Sequence, residues 1–259
     1  ISVENVAAEQ APATQRMIEF VCQDDLGDTS ASVVSLVDVF PVNDPPVVDL
    51  NGSAAFGTDF DAIWTEDDGP VAITDTSFAD VSDVDSTNLQ VCTVRITNDQ
   101  DGADEVLATD VSGTSVTASY IPATHTLVMN GPALESDFQT VLRRLTYDNL
   151  DNKPDLTPRI VEIICRDDSA TVTDTSNTAT ATVNIVAEAD PPFVDLNGAP
   201  TGEDFSTTFV EDLGPVSAFA TDAVVSDPDS PNLDRKSTRL NSSHPSRPRM
   251  PSSASKNKK

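Results

Sequence analysis

Apolar and polar residues alternate with a period of two in several stretches between residues 89 and 186. This period is typical of β-strands that bury one face, and it predicts strands over residues 89–97, 115–120, 126–129, 159–166 and 179–186. Residues 136–142 have helical spacing instead and predict a short helix with Ser136 or Asp137 as its N-cap. Clusters of Asp, Asn, Gly and Pro separate the strands. We therefore expect an all-β fold made of antiparallel β-sandwiches.

The pattern recurs after about 145 residues. Residues 44–52 (DPPVVDLNG) return as residues 190–198 (DPPFVDLNG), and residues 82–86 (SDVDS) return as residues 226–230 (SDPDS). Residues 16–25 (RMIEFVCQDD) match residues 159–168 (RIVEIICRDD). Such self-similarity indicates an array of like units. It predicts the end of a first repeat and a linker over residues 1–46, a complete repeat over 47–192, and the start of a third over 193–233.

The last 26 residues depart from this pattern, because they contain eight Lys or Arg and a single acid. Residues 234–244 (DRKSTRLNSSH) resemble the translation of a sequencing adapter. A basic tail that binds nucleic acid or an anionic polysaccharide is the alternative. We interpret residues 234–259 as a non-native tail and leave it out of the fold prediction.

Acidic residues dominate the composition: 43 Asp and Glu stand against 15 Lys and Arg, a net charge of −28. Thirty-three of the acids are Asp, which favours turns and cation sites over solvated helices. A chain this acidic is not expected to bind nucleic acid. Its apolar runs are all much shorter than a membrane span, so we expect no direct membrane contact. The start at Ile1 suggests a fragment of a longer protein.

Two of the three cysteines, Cys92 and Cys165, lie on predicted strands whose alternation directs both into one core. We predict a disulfide between them that links two sheets, provided their Cα atoms come within about 7 Å. Two buried reduced cysteines are the alternative. Cys22 is the repeat equivalent of Cys165, and its partner is expected upstream of Ile1. A disulfide would imply an oxidising, extracellular compartment.

Carboxylates gather at the boundaries between the repeats. Calcium takes six to eight oxygen ligands, and short Asp side chains supply them from tight turns. Bound cations would also offset the self-repulsion of the acidic chain. The predicted ligands are, at the first junction, Asn43, Asp44, Asp83 and Asp85, and at the second junction, Glu66, Asp190, Asp227 and Asp229. Asp residues that only form turns and add solubilising charge are the alternative.

At these positions the chain resembles the cadherin and cadherin-like repeats of extracellular proteins. Asn43 and Asp44 before Pro45 are similar to the linker of that family. Residues 83–88 (DVDSTN) are similar to its D-x-D signature, and Glu66 is similar to an acid near the start of its unit. The resemblance covers nearly all of residues 1–233. It implies calcium-stiffened modules, extracellular or at the cell surface, that act in adhesion or as spacers. Neighbouring repeats and another cell-surface or matrix protein would be the partners.

Other functional classes have less support. His125 is the only histidine before residue 234, so a nucleophilic triad has no basis and we expect no catalysis. Trp64 takes the position of Phe209 in the next repeat, which favours core packing over a sugar-binding platform. Asn51 begins an N-glycosylation sequon. Two alternatives stay open: a cation-independent structural repeat, and an accessory sandwich domain of a secreted carbohydrate-active enzyme.

Overall fold

The computed structural model describes residues 15–40, 42–169, 174–199, 202–230 and residue 232. These residues form fifteen strands and one α-helix, so the fold is all-β as predicted. The chain divides into two compact units, Ile1–Pro191 and Pro192–Lys259. The interpretation of residues 234–259 as a non-native tail falls outside the described residues.

The first unit contains thirteen strands and the helix: β1 (Gln15–Phe20), β2 (Val33–Asp38), β3 (Val47–Asp49), β4 (Phe60–Thr65), β5 (Val71–Ala72), β6 (Asp80–Ser82), β7 (Asn88–Ile96), β8 (Glu105–Ala108), β9 (Thr117–Ile121), β10 (Thr126–Leu134), α1 (Glu135–Leu142), β11 (Thr146–Asn149), β12 (Arg159–Asp167) and β13 (Ala179–Val186). The second unit contains β14 (Phe193–Asp195) and β15 (Val224–Ser226).

The largest sheet has six strands in the order β4-β13-β12-β7-β10-β9, and a smaller sheet has the order β5-β11-β8. Among the described residues, all strand pairs are antiparallel except β4 and β13, which run parallel from Phe60 opposite Ala181 to Thr65 opposite Val186. The prediction of purely antiparallel sheets is therefore wrong at this edge. A long stretch of chain separates the two strands, and a parallel pair needs such a connection in place of a tight turn.

One apolar core joins the large sheet to the elements that cover it. The alternation along β7 buries Cys92, Val94 and Ile96, while Arg95 between them is exposed. The same cluster includes side chains from β3, β4, β8, α1 and β11, namely Val48, Trp64, Leu107, Phe138 and Tyr147. Burial of this apolar surface is the main source of stability for the unit.

Helix α1 begins one residue earlier than the sequence predicts. Its N-cap is Leu134, at the end of β10, and Leu134 makes no side-chain capping bond. Ser136 and Asp137 are therefore not the cap. Asp137 instead accepts a hydrogen bond from the backbone N–H of Ser115 at 2.9 Å. Phe138, Val141 and Leu142 form the buried face of the helix.

The predicted disulfide between Cys92 and Cys165 is confirmed, with a Cα–Cα distance of 4.0 Å. The two cysteines are direct cross-strand partners on the neighbouring strands β7 and β12. The bond therefore lies within one sheet. The prediction that it links two sheets is wrong. Alternation correctly places both side chains on one face, but it carries no information on which strands are neighbours.

The sequence repeat has a counterpart in local backbone geometry. The N–H of Cys22 donates to Ser30 Oγ and that of Cys165 donates to Ser176 Oγ, both at 2.9 Å. Strand β1 pairs with β2 in the same register in which β12 pairs with β13. Within the second unit, β14 pairs with β15 as β3 pairs with β6. Segments that are alike in sequence thus have the same local strand pairing.

A buried ion-pair cluster lies beside the core. The guanidinium of Arg159, which is 0% exposed, donates from Nε to Glu105 Oε1 and from Nη2 to Asp101 Oδ2. Asn149 Nδ2 also donates to Asp101 Oδ2, at 2.7 Å. Burial alone would lower the pKa of Arg159, but the hydrogen bond and charge of Glu105 outweigh it and raise the pKa. The guanidinium is therefore held in its charged form.

Candidate cation site at the first junction

The linker before β3 is tied to the complete repeat by two hydrogen bonds. Asn43 Nδ2 donates to Asp167 Oδ2 at 2.9 Å, and the backbone N–H of Asp44 donates to Asp85 Oδ2 at 3.2 Å. Asp167 lies at the end of β12, whereas Asp85 lies in the turn between β6 and β7. Three segments that are distant in the sequence therefore meet at this end of the repeat.

Asp83 forms the turn that carries this site. Its Oδ1 accepts the backbone N–H groups of Asp85 at 2.9 Å and Ser86 at 2.8 Å. Its own backbone N–H donates to Glu135 Oε1 at 2.7 Å, which brings in the first residue of α1. A side chain that bonds to backbone amides two and three residues ahead is the usual way in which Asp stabilises a tight turn.

Two carboxylates at the first junction, those of Asp83 and Glu135, have raised pKa values. Burial raises the pKa of Asp83, against the lowering effect of the two amide hydrogen bonds. The Asp85 side chain raises this pKa further, because its carboxylate can share the proton of a protonated Asp83 and its negative charge disfavours ionisation. Burial also raises the pKa of Glu135, helped by the charges of Asp83 and Asp80. Desolvated, like-charged carboxylates favour a nearby positive charge.

Asp83 Oδ2 and Asp85 Oδ1 are buried and make no hydrogen bond with any described residue. Leaving a buried carboxylate oxygen without a partner is costly. A hard cation is a suitable partner, since Ca²⁺ prefers carboxylate oxygens. The carboxylate oxygens of Asp83 and Asp85 are thus donor atoms of the kind that Ca²⁺ prefers.

Within the part of the chain that the structure describes, no three His, Cys, Asp or Glu side chains are gathered at metal-binding spacing. An ion held by Asp83 and Asp85 would draw its further ligands from amide, main-chain carbonyl and water oxygens. Of the two linker residues, Asp44 lies beside Asp85, whereas the side chain of Asn43 contacts Asp167. Hydrogen bonds among the described residues therefore join Asp44, Asp83 and Asp85. That Asn43 shares an ion with them stays a prediction. Glu135 and Asp167, which the sequence does not single out as ligands, also contact residues of this site.

The second predicted set is divided between the two units. Glu66 is only 3% exposed, and its Oε2 accepts the backbone N–H of Glu188 at 2.9 Å, two residues before Asp190. In the second unit, Asp227 Oδ1 accepts the N–H of Asp229 at 3.1 Å. This repeats the turn of Asp83. The prediction that these four residues share one ion stays a prediction.

A cavity of about 250 Å³ opens beside Trp64 and Glu66. Trp64 is 1% exposed, donates from Nε1 to Asp148 Oδ1 at 3.1 Å and packs edge-on against Tyr147. It is part of the core, as expected, and presents no open face to a sugar. Five further acidic and amide residues line the cavity, and the sequence does not single them out as ligands: Asp67, Asp148, Asn149, Asp151 and Asn152.

The sequon residue Asn51 is 7% exposed in this structure, and its Nδ2 donates to the backbone oxygen of Asp59 at 2.7 Å. A glycan would be attached at this same nitrogen, in place of one of its two hydrogens. Glycosylation at Asn51 stays a prediction.

Comparisons of the chain with protein-family models, with curated proteins and with solved structures found no match. In the described residues no helix has the length and apolar character needed to cross a membrane.

Proposed function

We propose that this chain is part of an extracellular or cell-surface array of cadherin-like β-sandwich repeats that bind Ca²⁺ at their junctions. The array acts as a stiff spacer or adhesion module and carries out no catalysis. The matching hydrogen bonds of equivalent segments support the repeated architecture. The Cys92–Cys165 disulfide supports an oxidising compartment.

The observation that carries the calcium proposal is the pair of buried oxygens, Asp83 Oδ2 and Asp85 Oδ1, that have no hydrogen-bond partner among the described residues. They lie where the linker residue Asp44 contacts Asp85. A cation bound to both carboxylates, and to oxygens of the linker, would hold the linker against the complete repeat. Without it, the like charges at the junction repel one another. Extracellular modules of this kind bind calcium with Kd of about 10⁻⁴–10⁻³ M.

Isothermal titration of the full chain with CaCl₂ tests the proposal. Asp83→Asn keeps an oxygen that accepts the two turn amides but removes a negative ligand, so we expect calcium affinity at the first junction to fall at least about tenfold. Asp75→Asn is the matched control, because Asp75 Oδ1 accepts the N–H groups of Ser77 and Phe78 in the same kind of turn. Equal affinities of the two variants would contradict the assignment of Asp83.

A cation-independent structural repeat is the second candidate. It is favoured by the turns themselves, since Asp49, Asp75 and Asp195 each accept two backbone amides in the same way as Asp83. Turn formation alone would then account for these Asp residues. This candidate predicts no heat of binding in the calcium titration at concentrations up to about 10 mM, well above the expected Kd.

A further inference from the structure

Helix α1 covers one edge of strand β6. The strand pairs with β3 on its other edge, and it has no further strand neighbour in the part of the chain that the structure describes. Alternate residues of a strand direct their main-chain groups to the same edge. Residues 79, 81 and 83, in and beside β6, all direct theirs to side chains of α1 and of its C-cap. The helix thus takes the place of a neighbouring strand.

The contacts between α1 and β6 form a regular ladder. Side chains four residues apart lie on one face of a helix, and main-chain groups two residues apart lie on one edge of a strand. In the three contacts, Glu135 Oε1 accepts the N–H of Asp83 at 2.7 Å, Gln139 Nε2 donates to the oxygen of Val81 at 3.0 Å, and Arg143 Nε donates to the oxygen of Ala79 at 2.7 Å. The ladder therefore ends at Asp83, whose side chain forms the turn of the candidate cation site.

Glu135 also adds a negative charge beside Asp83. Burial raises the pKa of Glu135, the hydrogen bond from the Asp83 N–H lowers it, and the charges of Asp83 and Asp80 raise it again. The ionised carboxylates therefore repel one another while no cation lies among them. A bound divalent cation would be attracted by the same charges.

We propose that Glu135 is a positioning residue of the cation site and that the ladder of α1 on β6 holds it in place. Its hydrogen bond fixes the main chain at Asp83, and its charge adds to the attraction that Asp83 and Asp85 exert on a cation. Gln139 and Arg143 keep the helix in register with the strand, so that Glu135 reaches Asp83. This inference rests on the calcium binding proposed above.

Glu135→Gln tests the charge, because the amide oxygen of Gln still accepts the N–H of Asp83. Asp137→Asn is the matched control, since Asp137 lies in the same first turn of α1 but accepts the N–H of Ser115. In isothermal titration of the full chain with CaCl₂, we expect Glu135→Gln to lower the affinity about three- to tenfold, the range for one charge several ångströms from a divalent cation. Asp137→Asn should lower it less than about twofold, because solvent and salt screen a more distant charge.

The Tm in EGTA separates a positioning role from a merely structural one. Glu135→Gln removes a repulsion, whereas both substitutions lose the same favourable interaction with the helix dipole. The Tm of Glu135→Gln should therefore lie at least about 2 °C above that of Asp137→Asn. A structural role alone would lower Tm and calcium affinity together, so a Tm below that of the control would overturn the proposal.

Gln139→Met tests the ladder without changing any charge near the ion. It removes the hydrogen bond to Val81 and keeps an unbranched side chain of similar length. We expect calcium affinity to fall about threefold, within the range for one neutral hydrogen bond. In a chain that already carries Glu135→Ala, the same substitution should leave calcium affinity unchanged, because Gln139 acts through Glu135. An equal fall in both backgrounds would overturn the coupling.

These measurements distinguish the role of Glu135 from the proposed function. If the unchanged chain binds no calcium, the proposed function fails and the role of Glu135 fails with it. If the unchanged chain, Asp137→Asn and Glu135→Gln all bind calcium equally well, the proposed function stands and only the role of Glu135 is overturned.

Discussion

Glu105 and Arg159 form an ion pair in which neither side chain is exposed to solvent. The strands that carry them, β8 and β12, belong to different sheets. Asp101 adds a second carboxylate to the same guanidinium, and Tyr120 Oη donates to the backbone oxygen of Glu105 at 2.7 Å. A polar cluster of this kind fixes the packing of the two sheets only while each charge keeps its partner.

Arg159→Met is therefore expected to destabilise the chain by about 3–5 kcal/mol, because it leaves the Glu105 carboxylate buried without its cation. The measurement is urea unfolding followed by circular dichroism. The double variant Arg159→Met/Glu105→Leu should recover part of the loss, since it removes both charges. Arg144→Met is the control, because Arg144 pairs with Asp110 on the surface. This substitution should lower the free energy of unfolding by less than about 1 kcal/mol. A similar cost for both arginines would contradict the importance of burial.

Calcium should stabilise the folded chain. At 100-fold saturation, a ligand selective for the folded state adds about 2.7 kcal/mol. With 10 mM calcium and a Kd of about 10⁻³–10⁻⁴ M, the saturation is about 10- to 100-fold and the gain is about 1.4–2.7 kcal/mol. For a unit of this size that corresponds to a rise in Tm of about 3–10 °C. Differential scanning calorimetry of the full chain in 10 mM CaCl₂, 10 mM MgCl₂ and excess EGTA measures it, with the concentrations set by a Kd of about 10⁻⁴–10⁻³ M. An equal rise with Mg²⁺ would indicate charge screening and not a specific calcium site.

Removal of the disulfide should cost roughly 3–4 kcal/mol of unfolding free energy, because the bond closes a loop of 73 residues in the unfolded chain. The variant Cys92→Ala/Cys165→Ala tests this in urea unfolding. Cys22→Ala serves as the control, since Cys22 is exposed and makes no disulfide. No difference between the two variants would mean that cross-strand packing holds β7 and β12 together without the bond.

Without calcium, stability should fall as the pH rises through mildly acidic values. The folded-state pKa values of Asp83 and Glu135 are raised, first of all by burial. Between their ordinary values of about 4 and the raised values, the folded state binds more protons than the unfolded state, so the free energy of unfolding decreases with rising pH. Asp83→Asn should flatten this slope in unfolding measured from about pH 4 to 7 in EGTA. An unchanged slope in Asp83→Asn would contradict the raised pKa of Asp83.

Bound calcium should oppose part of the fall in unfolding free energy with rising pH. A bound cation lowers the pKa values of its carboxylate ligands, so calcium affinity should weaken as the pH falls and the carboxylates become protonated. Titrations at pH 4, near the ordinary carboxyl value, and at pH 7 measure this weakening. Equal affinity at both values would show that Asp83 does not ligate the ion.

Strand prediction succeeded where alternation is long and uninterrupted, as in β7, β12 and β13. It missed β8 because Glu105, a buried residue of that strand, is acidic. Its burial depends on Arg159, which lies 54 residues further along the chain. Such a partnership is created by the fold and leaves no periodic signal in the sequence.

The residues of the candidate site also fall into two groups: those that a sequence motif indicates and those that only the fold brings to the site. Asp83 and Asp85 belong to a motif that recurs in the third repeat, so the sequence alone identifies them. Glu135 reaches Asp83 from the start of a helix 52 residues away, and Asp167 reaches Asn43 across 124 residues. An acid in the first turn of α1 is the only sequence signal for Glu135, and it is shared by many helices.

The parallel pairing of β4 with β13 has a mechanical consequence. One strand lies near the beginning of the complete repeat and the other at its end, and the two run side by side in the same direction over six residue pairs. A pulling force applied along the chain would therefore draw the two strands past each other in opposite directions. Their hydrogen bonds would be loaded together in shear, whereas a terminal hairpin would open one bond at a time. The edge that departs from the antiparallel pattern is thus the edge best placed to bear tension.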